Sequence, residues 1–227
     1  MKKHLVVLTG AGMSAESGIK TFRDADGLWE GHDVMEVATP EGFAKNPELV
    51  LNFYNQRRKQ LFEVNPNPAH VILADFEKDY NVSIITQNVD DLHERAGSTN
   101  VIHLHGELLK ARSTFDETDV LEWKTDILLG NLCKKGHQLR PHIVWFGEEV
   151  PMIENAMRIC ETADILVIIG TSMQVYPAAG LIHYVPEKTP VYYIDPKPAL
   201  SNKQYLTVIA EPASTGILKL KDYLKNH

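Results

Sequence analysis

The chain has 227 residues, of which 44% are hydrophobic and 23% charged, a composition typical of a folded protein built as one large domain or one domain with a small inserted lobe. Its formal net charge of −7 disfavours general nucleic-acid binding, which requires a basic face. The sequence shows no membrane-spanning run, no signal-peptide pattern and only two cysteines without a CxxC pair, so we expect a cytoplasmic protein that does not bind membranes.

The first element is an apolar strand that ends in a glycine-rich turn. Gly10-Ala11-Gly12 follows residues 5–8, and residues 14–20 are predicted to begin a helix. Gly10, Gly12 and Ala15 match the relaxed pattern G-x-G-x-x-G/A, in which backbone N–H groups and a helix N-terminus bind phosphate. The pattern alone is weak, because a turn without a ligand fits it as well. Residues 21–33 are a polar loop in place of the second strand and acidic residue of a dehydrogenase.

The later elements alternate between strand and helix. Helices are predicted for 47–64, 68–78, the segment that Gly97 closes, 152–162 and the residues from 214, and strands for 82–86, 101–104, 142–146, 165–169, 191–194 and 206–209. Residues 108–139 are charged and predict an irregular surface excursion. The fold class is therefore α/β, a Rossmann-like doubly wound parallel sheet with a small inserted lobe. We expect one domain over 1–227, with a core of 1–30, 76–107 and 140–227 and a small lobe of 31–75 and 108–139.

Polar residues follow the predicted strands at their carboxyl ends. In a doubly wound sheet these ends meet at one edge, where ligands bind. Asn88 and Asp90 could equally serve as caps of the helix that follows them, and the two roles are compatible. The residues expected to converge are Gln87, Asn88, Asp90, His105, Thr171, Ser172 and Asp195.

Five ordered motifs resemble those of a known family. They are GAGMSAESGI with Phe22-Arg23, TQNVDDLH from residue 86, His105-Gly106, LRP with VWFGE from residue 139, and GTS with VYPA from residue 170. Together they resemble the signatures of the sirtuins, the NAD-dependent protein lysine deacylases. Since the motifs extend from residue 10 to residue 178, chance agreement is negligible.

The resemblance implies a reaction that consumes NAD. The acyl-lysine carbonyl oxygen attacks the ribose carbon, nicotinamide leaves, and a ribose hydroxyl captures the acyl group, giving deacylated lysine and O-acyl-ADP-ribose. His105 would be the base that activates this hydroxyl, because an imidazole accepts a proton at neutral pH. Asn88 would orient the ribose, and Asp90 would accept a hydrogen bond from the nicotinamide amide. Taken alone, His105 could also be a core histidine, as we expect for His103.

The resemblance also implies contacts to NAD and to an acyl-lysine protein or peptide. Thr171 and Ser172 could otherwise be ordinary capping hydroxyls. The NAD-binding residues would be Gly10, Ala11, Gly12, Ser14, Phe22, Arg23, Gln87, Asn88, Asp90, Gly170, Thr171, Ser172, Asp195 and Ala213. The peptide would add as a strand along Val144, Phe146, Gly147, Glu148, Val175 and Tyr176.

Tyr54 and Arg57 predict the acyl group. They stand three residues apart and so share one face of the predicted helix. The pair resembles that of the sirtuin branch that removes succinyl and malonyl groups, and an arginine with a phenol hydroxyl suits a carboxylate. Because bacterial members with this pair are often deacetylases too, the resemblance implies a dual acyl range. The alternative is a solvated basic patch at residues 57–59.

The zinc site common in this family is not expected. Sirtuins usually hold a structural zinc with two Cys-x-x-Cys pairs. Here Ser113 and Asp116 take the places of the first pair, and near the second only Cys133 remains, beside Lys134 and Lys135. We expect apolar packing to hold this part of the lobe, with Leu121, Trp123, Leu128, Leu129 and Leu132 as candidates.

Two other functions remain open at this point. A sirtuin-like protein ADP-ribosyltransferase would use the same glycine loop and Asn88, and a non-catalytic NAD-binding module would need neither His105 nor Asn88. The presence of His105 and of the Tyr54/Arg57 pair favours deacylation. We favour a monomer.

Overall fold

The computed structural model describes residues 2–20, 28–29 and 31–225, so the predicted NAD contacts Phe22 and Arg23 lie outside the described residues. The strands are β1 (His4–Thr9), β2 (Leu28–Trp29), β3 (His32–Asp33), β4 (Asn81–Thr86), β5 (Val101–His103), β6 (Gly106–Ser113), β7 (Val120–Glu122), β8 (Leu139–Ile143), β9 (Ile165–Ile169), β10 (Val191–Ile194) and β11 (Leu206–Ile209). The α-helices are α1 (Val34–Val37), α2 (Pro40–Lys45), α3 (Pro47–Glu63), α4 (Pro68–Phe76), α5 (Leu92–Arg95), α6 (Ile153–Cys160) and α7 (Ala213–Lys225). None of the helices within these described ranges is long and apolar enough to cross a membrane.

Six parallel strands form the central sheet, in the order β11-β10-β9-β1-β4-β5. The chain builds β1, β4 and β5 to one side and then returns to place β9 against the other edge of β1. This reversal makes β1 and β9 the switch point of the sheet, where a crevice opens beyond the strand ends. The predicted α/β, doubly wound parallel fold is confirmed.

The sheet is covered on both faces, as its continuous apolar strands predict. Alternate residues of β1 face opposite sides: Leu5 and Val7 belong to one core cluster, Val6 and Leu8 to the other. Helices α4 and α7 pack on the first face, whereas α6 and the 3-10 segment Ala178–His183 pack on the second. Since α4 contacts the sheet, most of this helix lies with the core and not with the small lobe to which the sequence division assigned residues 31–75.

Two helix starts follow the predicted chemistry. The Asn46 side chain accepts a hydrogen bond from the Leu49 N–H at 3.1 Å, and Asn67 caps α4 in a reciprocal arrangement with His70. A proline at the first position of each helix has the required backbone angle, and its missing N–H would have had no partner within the helix. The helix predicted to follow the glycine-rich turn is wrong. Residues 11–13 and 15–17 form two 3-10 turns instead.

Residues 108–139 were expected to be an irregular surface segment, but this expectation is wrong because part of the segment belongs to a second, antiparallel sheet. Strand β6 pairs with β7 on one side and with β8 on the other. The sequence does not indicate these strands, because charged residues are usually exposed. Here Arg112 and Arg140 are buried, at 3% and 7% exposure. The strand predicted for 142–146 begins three residues earlier, at Leu139.

The outer end of this lobe is held by polar contacts where the family resemblance implies zinc ligands. The Ser113 hydroxyl accepts from the N–H groups of Phe115 and Asp116, and Asp116 forms an ion pair with Lys135 at 2.8 Å. The fourth ligand position by spacing is Gly136, which has no side chain to coordinate. Among the described residues no group of three or more His, Cys, Asp or Glu side chains could hold a metal ion. The donor set therefore does not fit a tetrahedral zinc site.

Apolar packing in this lobe involves other residues than those predicted. Leu121 and Trp123 do pack against the local cluster, as expected. Leu128, Leu129 and Leu132 are about half exposed, so their part in the prediction is wrong. The buried members are Leu51, Ala111, Ile127, Cys133 and Leu139.

Candidate active site

Two glycine loops pack backbone against backbone at the switch point. The Gly12 N–H donates to the Gly170 carbonyl at 2.8 Å, and the Gly10 N–H donates to Ile169 at 3.0 Å. A Cβ on Gly12 would lie 2.7 Å from the Gly170 Cα, and one on Gly170 would lie 2.3 Å from the Met13 nitrogen. These glycines are thus required by contact between the loops after β1 and β9. The N–H groups of Gly10 and Gly12 are already paired, which differs from the phosphate-binding role that the sequence pattern predicts.

A buried polar cluster lies directly behind these loops. The Ser14 hydroxyl donates to Asp90 Oδ2 at 2.9 Å and accepts from Asn88 Nδ2 at 3.1 Å. The Leu92 N–H, at the first residue of α5, donates to Asp90 Oδ1 at 3.2 Å. Asn88 and Asp90 are 7% and 6% exposed. Burial raises the pKa of Asp90 to about 6, against the lowering effect of its bonds to Ser14 and Leu92.

The backbone around Asn88 is fixed by its neighbours. Its N–H donates to Thr86 Oγ1 at 3.0 Å, and its carbonyl accepts from His103 Nδ1 at 3.0 Å. His103 Nε2 lies 2.8 Å from Glu94 Oε1. Because both ring nitrogens face acceptors, both carry protons; burial alone would lower the pKa of His103, but the Glu94 carboxylate raises it. His103 therefore supports Asn88, a role that the sequence did not reveal.

His105 is held in one tautomer by the neighbouring strand end. Its Nδ1 lies 3.1 Å from the Gln87 carbonyl oxygen. A carbonyl only accepts, so Nδ1 carries the proton and Nε2 presents a free lone pair. Burial lowers the pKa of His105, against the opposing effect of the Gln87 carbonyl, so the ring is neutral at pH 7. This is the state that a general base requires.

A cavity of about 60 Å³ connects Asp90 with helix α3. Arg57 lies on its wall with Asp90 and Trp29, so a basic and an acidic side chain share one small space. The Arg57 guanidinium stacks 3.8 Å from the Phe53 ring centroid, and its Nη1 donates to the Phe53 carbonyl at 2.8 Å. The cavity is lined by Ile19, Lys20, Trp29, Arg57, Gln60, Leu61, Val89, Asp90 and Leu108.

Tyr54 lies beside this cavity without lining it. Its hydroxyl oxygen accepts from the Trp145 indole N–H at 2.9 Å, and its ring meets the Trp29 ring edge to face at 6.2 Å. Tyr54 is 1% exposed, and burial raises its pKa, so the phenol stays protonated. The solvated basic patch considered for residues 57–59 is not what forms, because Arg58 is 1% exposed and bonded to Leu108 and Asn55.

The Glu148 carboxylate is engaged within the protein. It accepts from Arg140 at 2.6 Å and 3.1 Å, from Arg112 at 3.0 Å and from the Trp145 N–H at 2.8 Å. These contacts occupy both carboxylate oxygens, so the side chain holds the Trp145 turn in place. A contact with a peptide at this position would come from the adjacent backbone.

The other predicted residues lie around the same edge of the sheet. Gln87 Nε2 donates to Thr171 Oγ1 at 3.2 Å, which joins the loops after β4 and β9. The Glu16 carboxylate accepts from both the N–H and the hydroxyl of Ser214, which brings Ala213 and the start of α7 to the glycine loop. Asp195 is 2% exposed and accepts from the Lys197 N–H.

The predicted peptide-binding segments lie at the surface. The Val144 N–H donates to the His105 carbonyl at 2.9 Å, which ties the end of β8 to the candidate base. Phe146 and Tyr176 are 45% and 73% exposed, so each presents a large aromatic surface to solvent. Gly147, Ser172 and Val175 lie in the same two loops, with Gly147 in a left-handed conformation at φ +89°.

Comparison with known proteins decides the family. The model of the Sir2 family matches residues 10–177. The chain belongs to the Sir2 family. Within this family it is 64% identical over 195 residues to a Helicobacter pylori protein named NAD-dependent protein deacylase, covering 86% of this chain and 85% of that one. A Bacteroides thetaiotaomicron protein of the same name is 57% identical over 229 residues, with 98% of each chain covered.

Solved structures of Sir2 homologues share the whole fold. A Sir2 homologue in complex with NAD is 41% identical, with a TM-score of 0.87, and covers 99% of this chain and 90% of its own. A Sir2 protein with a histidine-to-tyrosine substitution, in complex with a p53 peptide and NAD, is 26% identical with a TM-score of 0.80 over all of this chain and 95% of its own. The fold expected of the Sir2 family is therefore present throughout.

Proposed function

We propose that this protein is an NAD-dependent protein deacylase that acts on acyl-lysine side chains. The observation that carries the proposal is the state of His105, at the edge of the sheet where ligands bind: a neutral imidazole whose Nδ1 is bonded to Gln87 and whose Nε2 bonds to none of the described residues. The family membership and the names of relatives at 54–64% identity support the same activity.

The residues of the crevice suit NAD as a consumed co-substrate. NAD would supply an electrophilic ribose carbon with nicotinamide as its leaving group. The acyl carbonyl oxygen would attack this carbon as nicotinamide leaves. His105 Nε2 would then take the proton from a ribose hydroxyl, which attacks the acyl carbon; the lysine amine leaves, and one water molecule completes the O-acyl-ADP-ribose. Asn88 donates to Ser14 through Nδ2, and no described residue donates to its Oδ1, which leaves that oxygen for a ribose hydroxyl. Asp90 would accept from the nicotinamide amide, since this residue lines the cavity.

The glycine loops would bind the phosphates of NAD, but not through the N–H groups of Gly10 and Gly12 as the sequence pattern implies. Because Gly10 and Gly12 donate to the loop after β9, the binding surface is the paired loops and not a helix N-terminus. Thr171 and Ser172 would contribute hydroxyls, and Asp195 would reach the adenosine end. Phe22 and Arg23 would cover the cofactor. These assignments stay predictions.

The acyl range that we propose includes succinyl and malonyl as well as acetyl groups. Arg57 and Lys20 line the same cavity as Asp90 and provide positive charge for a carboxylate at their end of it. Tyr54 lies one helical turn earlier on α3. The substrate peptide would lie as an added strand between the loops that contain Gly147 and Val175.

Kinetics on matched peptides test this proposal. One peptide sequence carrying acetyl-lysine or succinyl-lysine is incubated with and without NAD, and the product masses are measured. We expect mass loss for both acyl groups, only with NAD, and loss of this activity in His105→Tyr. Mass loss without NAD, or in the His105→Tyr protein, would overturn the mechanism. ADP-ribose added to protein without loss of the acyl group would identify a transferase instead.

A further inference from the structure

The Tyr54 hydroxyl is buried with only one of its hydrogen-bonding capacities used. Its oxygen accepts from Trp145 Nε1 at 2.9 Å, and the side chain is 1% exposed. Within the ranges that the structure describes, no residue accepts a hydrogen bond from the Tyr54 O–H. A buried donor without a partner is unfavourable, so this position favours a ligand that brings an acceptor.

The direction of the Trp145 bond fixes what Tyr54 can offer. An indole N–H is a donor only, so the phenol oxygen must be the acceptor in this pair. The bond therefore occupies a lone pair on the Tyr54 oxygen and leaves the hydroxyl to act as a donor. Accepting one hydrogen bond also polarises the phenol and strengthens the bond that it donates.

Trp145 is itself held rigidly. Its backbone N–H donates to Glu148 at 2.8 Å, and the Arg140 guanidinium lies 3.3 Å from the centroid of its ring. Arg140 in turn forms a bidentate pair with Glu148, and Trp145 is only 3% exposed. The indole N–H therefore has one orientation, toward Tyr54.

We propose that Trp145 is a positioning residue for acyl selection, which orients Tyr54 so that its hydroxyl donates to the terminal carboxylate of the acyl chain. This inference rests on the proposed deacylase function and deepens it. Arg57 provides the positive charge for the carboxylate, and the bond from Trp145 holds the Tyr54 oxygen in the position from which its O–H can donate to that carboxylate. An acetyl group has no carboxylate, so it gains nothing from this arrangement.

Single and double variants test the role of the indole N–H. Trp145→Phe keeps an aromatic ring but removes the N–H, and Tyr54→Phe removes the hydroxyl. For each variant the ratio of kcat/KM on succinyl-lysine to kcat/KM on acetyl-lysine is measured with one peptide sequence. We expect Trp145→Phe to lower this ratio about 5-fold, through a higher KM for the succinyl peptide, as the loss of one hydrogen bond predicts. The double variant should match Tyr54→Phe within about two-fold, because Trp145 acts only through Tyr54.

Trp123→Phe is the matched control. Trp123 also donates its indole N–H, but to the Asp126 carbonyl at 3.1 Å and not to Tyr54. The ratio of kcat/KM on succinyl-lysine to kcat/KM on acetyl-lysine should be the same in Trp123→Phe as in the unmodified protein. An equal loss on both peptides in Trp145→Phe, or a full Trp145→Phe effect in the Tyr54→Phe background, would overturn the proposal.

Two further outcomes are distinguishable. If Trp145→Phe does not fold, benzothienylalanine introduced at position 145 keeps the shape of tryptophan without the N–H, and the same fall in ratio is expected. An unchanged ratio with this residue would overturn the inference. If the unmodified protein removes neither acyl group with NAD, the proposed function itself has failed.

Discussion

Replacing Asp90 by asparagine should stabilise the protein at neutral pH. Burial raises the pKa of Asp90 from 3.8 to about 6, which corresponds to about 3 kcal/mol of unfavourable free energy when the carboxylate ionises in the folded state. Asparagine has nearly the same shape and carries no charge. The Leu92 N–H keeps an acceptor, while the bond from Ser14 is weakened, so 3 kcal/mol is an upper bound.

The pH dependence of this effect has a definite sign. The folded-state pKa of Asp90 lies above its unfolded value, so the protonated form contributes stability below pH 3.8, and this contribution is lost as the pH rises through about 6. The gap in unfolding free energy between Asp90→Asn and the unmodified protein should therefore be smallest at low pH and reach its maximum above pH 6.5. Every other titrating group is common to both proteins and cancels in the difference.

Urea unfolding followed by circular dichroism from pH 4.5 to 7.5 measures this gap. A gap that does not change with pH, or greater stability of the unmodified protein at pH 7, would refute the buried-carboxylate reasoning. Confirmation would show that the protein retains a destabilising charge in the crevice. Such a charge is expected where a ligand uses it, here the nicotinamide amide.

Other consequences can be measured separately. kcat/KM should rise with pH along a titration centred below the ordinary pKa of histidine, because burial lowers the pKa of His105 and the neutral ring is the base; a fall over this range would contradict the assignment. Gly170→Ala should destabilise the protein by about 2–3 kcal/mol in urea, since its Cβ would meet the Met13 nitrogen at 2.3 Å, and an unchanged midpoint would show that the loops can separate. Arg57→Met should reduce desuccinylation at least about 10-fold more than deacetylation, and equal losses would remove the carboxylate receptor. A strong zinc chelator should leave the melting temperature unchanged, whereas a large decrease, or one zinc per chain by metal analysis, would show a metal site.

The strands of the central sheet could be predicted because each is a short apolar run, and their parallel order follows from the intervening helices. The caps of α3 and α4 were equally visible, since Asn-Pro at residues 46–47 and 67–68 has a local meaning. Gln87, His105 and Thr171 could be expected to lie together because strand ends share one edge of the sheet, and Gln87 does contact both of the others. Local chemistry was sufficient for all of these features.

The rest depends on contacts between distant parts of the chain. From the sequence alone, Arg112 would be expected at the surface. Its burial in β6 is explained by its pairing with Glu148, 36 residues away. The bond between Tyr54 and Trp145 joins residues 91 positions apart. Likewise, the sequence pattern predicts that the Gly12 N–H binds phosphate. In the structure this N–H donates to the Gly170 carbonyl, a partner 158 residues later in the chain. No periodicity or spacing pattern contains such information.

The most direct measurement of the central claim is the stoichiometry of one reaction mixture. Free lysine side chains, released nicotinamide and O-acyl-ADP-ribose are counted together for the succinylated and the acetylated peptide. A deacylase that consumes NAD predicts one of each product for every acyl group removed, and none in the His105→Tyr protein. Deacylation without an equal release of nicotinamide, or nicotinamide release without deacylation, would contradict the account.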